Sequence, residues 1–154
     1  MSDALKEKIY QAQGEGDIAS LYVMEAEARD SFDDDTLMAF YANILDLALE
    51  RLTNTLENFE KLDINEVQDF ATLRALYEYA IEHYSAGSVH DASALFEVLG
   101  GISNDAAFGE AMGLHRAACD AQIPFDDFID EYVDMSATQN GGKFYISYFK
   151  KEIA

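Results

Sequence analysis

The residues best suited to chemistry in this chain are three histidines, one cysteine and thirty carboxylates. Their spacing argues against a catalytic or metal centre. Helical metal centres need histidine and carboxylate on one face, commonly as Glu-x-x-His on two helices. None of His83, His90 and His115 has a glutamate three positions before it. One cysteine with scattered histidines cannot build a zinc cluster, and His-Glu-x-x-His is absent. Asp30-Ser31-Phe32-Asp33-Asp34-Asp35 lacks the Asp-x-Asp-x-Asp-Gly spacing and the distal glutamate of a calcium loop, so it reads as a helix cap. Gly14-x-Gly16 and Gly100-Gly101 are too sparse to cradle a phosphate, and no strand precedes either. No Ser, His and Asp set assembles from spacing. The sequence therefore predicts no enzyme, no metal and no cofactor.

The bulk composition narrows the class. A chain of 154 residues, 49% hydrophobic, with ten Phe and nine Tyr, has enough apolar surface for one core and one domain. No apolar run approaches the roughly 18 to 20 residues that cross a bilayer. The opening Met1-Ser2-Asp3-Ala4-Leu5 has neither the cationic nor the apolar region of an export signal. The lone Cys119, in an alanine-rich run, is expected to be a small core residue in a reducing cytoplasm. Ten basic against thirty acidic residues leave a formal charge of −20, which repels phosphate backbones and anionic lipid. Direct nucleic-acid and membrane binding are disfavoured, whereas a basic partner is attracted.

Apolar residues recur at helical spacing almost throughout, so the fold class expected is all-α. The punctuation predicts helices over Asp3 to Ala12, Ile18 to Arg29, Thr36 to Phe59, Glu66 to Ser85 and Val89 to Leu99. Gly100-Gly101 is read as a break, followed by helices from Asp105 or Ala106 to Cys119, Phe125 to Met135 and Lys143 to Ile153. Asp17 and the Asp33 to Asp35 run are capping candidates, and Pro124 suits a first turn. In the long helix Leu37, Phe40, Tyr41, Ile44, Leu47, Ala48, Leu52, Leu56 and Phe59 form one stripe, for a core or for a homodimer. The expected organisation is a single helical domain, with an N-terminal helical region over 1–62 and repeats over 66–154.

Ala80 and Gly113, Phe96 and Ile129, and Leu99 and Tyr132 pair at a constant interval close to the roughly 34-residue tetratricopeptide period. The small members are expected where paired helices approach most closely. Leu76-Tyr77, Ala80, Tyr84, Gly87, Ala92, Phe96 and Leu99, followed by Asp105, Phe108 and Ala111-Met112-Gly113-Leu114, resemble a tetratricopeptide repeat. More narrowly, they resemble the first repeat of the class II type III secretion chaperones. The resemblance covers about residues 71 to 136. Its second helix pair is degenerate, with Phe125 or Asp126 where the repeat prefers alanine.

The resemblance implies an α-α superhelix of helical hairpins whose inner helices line a concave face for a protein client. On that register Arg74, Tyr77, Ile81 and Tyr84, then Ala107, Glu110, Leu114 and Ala117, face the groove, with Arg74, Tyr77, Ile81, Tyr84, Glu110 and Leu114 the partner-binding set. Tyr77 and Tyr84 would bury ring area against an extended guest while their hydroxyls stay wet; packing against the preceding long helix is the competing role. The expected function is a cytoplasmic chaperone or adaptor. Two rivals stand beside it: an acidic decoy for a nucleic-acid-binding protein, and a structural homodimer built on residues 36 to 59.

Overall fold

The computed structural model describes residues 2–153, and among these the fold is all-α, with no strand. In chain order the helices are α1 (Ser2–Glu15), α2 (Ile18–Val23), α3 (Glu25–Ser31), α4 (Asp34–Glu57), α5 (Val67–Ser85), α6 (Val89–Ile102), α7 (Ala106–Asp120), α8 (Phe125–Asp127) and α9 (Met135–Gly141). A π turn, Phe128–Tyr132, continues α8. No helix is long and apolar enough to cross a membrane among the described residues.

Acidic residues set the helix starts. The side chains of Asp17, Asp33, Glu66, Asp105 and Asp134 each accept a backbone N–H three residues on, from Ser20, Thr36, Asp69, Phe108 and Ala137. A carboxylate there satisfies an orphan donor and faces the positive end of the helix. Hydrogen bonds from Ser20 and Gln68 hold the Asp17 carboxyl below its ordinary pKa. Part of the negative charge thus serves to start helices.

Helix α4 buries Phe40, Ile44 and Ala48. Its predicted stripe leaves the core at Leu56 and ends on Phe59, which is 96% exposed. Phe59 has φ +55°, with Glu60 N–H on Thr55 O at 3.0 Å and Phe59 N–H on Leu56 O at 3.2 Å. Those bonds form the Schellman closure that glycine usually occupies. Arg51 clamps α4 to α5 with two hydrogen bonds on Asp69 Oδ1, at 3.2 and 2.7 Å. Helices α5, α6 and α7 then pack as successive neighbours. Leu62 bonds across the end of α6, its N–H on Ile102 O at 2.7 Å.

Four element boundaries differ from expectation. Residues 18 to 29 divide at Met24, whose turn starts α3 afresh and brings Glu25 and Arg29 towards Tyr41. Gly100-Gly101 does not break α6; a Cβ on Gly100 would lie 3.6 Å from Met112 Cβ and 3.7 Å from Gly109 O, so its bare backbone lets α6 and α7 approach. The predicted helix from Phe125 to Met135 closes at Tyr132, and Asp134 caps a separate α9. Residues 143–150 form no helix. The amides of Ile146, Tyr148 and Lys150 are instead taken by Tyr77 Oη, Thr138 Oγ1 and Tyr132 O.

Candidate protein-binding groove

The inward faces of α5 and α7 carry Phe70 and Tyr77, and Phe108 and His115, each pair seven residues apart and so on one side of its helix. Across them lies the irregular, non-helical segment 143–150, here termed the strap. Phe144 meets Phe70 edge-on at 5.1 Å between ring centroids and Phe108 at 5.6 Å. Tyr145 meets Phe108 at 4.9 Å, and Phe149 reaches His115 at 5.9 Å and Phe128 at 6.2 Å. The edge-to-face pairs Phe70–Phe144 and Phe108–Tyr145 add about 0.5–1.5 kcal/mol each beyond area burial.

Main-chain bonds fix the strap's register. Ile146 N–H donates to Tyr77 Oη at 3.0 Å, Tyr148 N–H to Thr138 Oγ1 at 3.2 Å, and Lys150 N–H to Tyr132 O at 2.7 Å. Asp134 N–H donates to Tyr148 O at 2.9 Å. Lys150 Nζ donates to the Asp130 carbonyl at 2.9 Å, and Lys151 Nζ lies 4.5 Å from the Tyr132 ring centroid. The strap enters through Gly142, whose φ of +69° caps α9 in the left-handed region.

Beneath the strap runs a three-member polar chain. His115 Nδ1 lies 2.6 Å from Ala111 O, and because a carbonyl only accepts, Nδ1 carries the proton. Nε2 is then an acceptor and takes the Tyr77 hydroxyl proton at 2.8 Å. The same hydroxyl oxygen accepts from Ile146. Burial pushes His115 down to about 4, opposed by its bond to Ala111, so the imidazole stays neutral as this direction requires. Burial also raises the Tyr77 phenol, keeping its proton available for donation.

The predicted partner-binding residues separate in space. Tyr77 and Tyr84 are buried rather than wet; Tyr77 lies under the strap, and Tyr84 donates to Ile123 O at 2.7 Å among Phe96, Phe125 and Phe128. Neither ring lines an open surface, because the chain's own residues cover both. Ile81 is half-buried against the core. Arg74 turns towards the N-terminal helices, bridging Glu25 at 3.2 Å and Glu78 at 3.6 Å, with its guanidinium 3.9 Å from the Tyr22 ring centroid. It lines an open cleft of about 250 Å³ together with Ala19, Tyr22, Ile64 and Phe70.

On α7 the expected phase is one residue early. Glu110 is exposed and Leu114 half-buried, while Phe108 and His115 occupy the positions assigned to Ala107 and Leu114. The signal was available in Phe108, Ala111, Met112 and His115, a buried stripe at three-and-four spacing. The period fares unevenly: Ala80 is fully buried, but Gly113 is exposed with nothing near its missing Cβ. Comparison with protein-family models, curated proteins and solved structures found no match to this chain.

Proposed function

We propose that this chain is a protein-binding chaperone or adaptor that holds an extended partner segment against the faces of α5 and α7. One observation carries the reading: a non-helical, aromatic stretch of polypeptide, the strap, occupies that surface through spaced side-chain anchors and main-chain hydrogen bonds. Grooves that accept extended peptides work this way, the backbone supplying register and the anchors supplying selectivity. In its sharpest form, suggested by the tetratricopeptide-like segment, the protein is a cytoplasmic type III secretion chaperone with an α-α superhelical groove.

Affinity capture from the native host tests the function on the full chain. Phe70 sits at the groove's edge, 42% exposed and touching Phe144. Tyr10, 67% exposed on α1, is a control of similar size. A partner should be retained by the parent and by Tyr10→Asp and lost from Phe70→Asp. Equal retention by both variants would place binding elsewhere and overturn the proposal.

A further inference from the structure

We propose that the strap is a displaceable competitor held in cis, and that the groove's partner is an extended basic segment with aromatic anchors spaced like its own. This rests on the groove function proposed above and adds the occupant's chemistry. The anchor pattern is Phe144-Tyr145-Ile146 followed by Phe149, one apolar triplet and an aromatic three residues beyond it. Charge supplies the second part. Residues 143–151 hold three of the ten basic residues, Lys143, Lys150 and Lys151, and no acidic one. They close on a turn, residues 126–134, in which Asp126, Asp127, Asp130, Glu131 and Asp134 all lie. A cationic segment is drawn to that turn, and an acidic one is repelled.

Three features favour exchange over permanent burial. The strap leaves α9 through Gly141-Gly142, where the left-handed Gly142 offers a hinge. Lys150 and the adjoining Lys151 meet a carbonyl and a ring face rather than carboxylates. The Ser147 hydroxyl is buried without a hydrogen-bond partner among the described residues, a cost that release of the strap into water removes. Since a cis segment acts at high effective concentration, a free peptide competes poorly until the strap is weakened.

The test is a fluorescence-anisotropy titration with a labelled synthetic peptide matching residues 142–152, added to the full chain. The parent should bind it weakly, and the Phe144→Ser/Phe149→Ser chain at least tenfold more tightly. A peptide carrying Lys143→Glu, Lys150→Glu and Lys151→Glu should bind that variant at least tenfold more weakly than the unmodified peptide. Equal affinity of parent and variant, or no binding by a variant that melts cooperatively, would overturn the displacement. Equal affinity of the two peptides would overturn the basic partner. Should the double variant fail to fold, the milder Phe149→Ala decides by the same criteria. Failure here with Phe70-dependent partner capture intact would sink the exchange alone and leave the groove function standing.

Discussion

Replacing Tyr77 by Phe removes one oxygen and should cost far more than that atom suggests. The ring and its contacts with Phe96, Phe144 and Tyr145 remain. What is lost is the shared hydroxyl, which donates to His115 Nε2 at 2.8 Å and accepts from Ile146 N–H at 3.0 Å. Both partners are buried, and each orphaned group carries a desolvation penalty of about 1–3 kcal/mol. Partial relaxation leaves about 2–4 kcal/mol for the pair. Tyr84→Phe is the matched control, since its hydroxyl serves only Ile123 O, for about 1 kcal/mol. Urea unfolding of the two variants at neutral pH reads the difference from the midpoints at unchanged slope. A Tyr77→Phe chain no less stable than Tyr84→Phe would refute the three-member chain.

Burial holds His115 at about 4 against its ordinary 6.5. Between those pH values the unfolded chain binds a proton that the folded chain refuses, so stability present above pH 6.5 falls as pH drops, by about 3 kcal/mol at most. His115→Leu should flatten that part of the denaturation profile, and an unchanged slope would contradict the neutral assignment. The Cys119 thiol, buried and pushed up to about 12, should resist a thiol reagent in the native state and react only on unfolding. Phe59→Gly should raise the unfolding free energy by about 0.5–1 kcal/mol, read as a higher urea midpoint, because glycine accepts φ +55° without strain and the exposed ring contributes no burial.

Helices were legible wherever capping and periodicity agreed. Asp17, Asp33, Glu66 and Asp105 mark starts that local chemistry determines, and the Phe40-Ile44-Ala48 stripe follows from spacing alone. Gly100-Gly101 misled because a glycine pair signals both a break and a close approach, and only the neighbour across it, Met112, separates the two. Residues 143 to 153 misled for a similar reason. Their apolar and basic pattern suits a helix, but tertiary hydrogen bonds to Tyr77, Thr138 and Tyr132 hold Ile146, Tyr148 and Lys150 out of one.

The groove was half legible. Its helices and Tyr77 follow from the repeat-like pattern, whereas the covering segment does not, because no local signal says that a chain will fold back across its own helices. The spacing of His115 argues only against a metal ligand. Its place one turn beyond Ala111, on the face shared with Phe108 and Met112, was the clue to a buried hydrogen-bonding role. Glu110 and Leu114 show how a phase error of one residue, about 100° around a helix, exchanges lining for rim.

The measurement that bears most directly on the central claim is native-state amide hydrogen exchange of the full chain at rising, sub-denaturing urea. If the strap leaves the groove as a unit, Ile146 and Lys150 should exchange together through a low-energy opening, at least tenfold faster than Leu99 in α6 and Met112 in α7. Exchange of all four amides at one rate, with one urea dependence, would show the strap inseparable from the core and contradict the account.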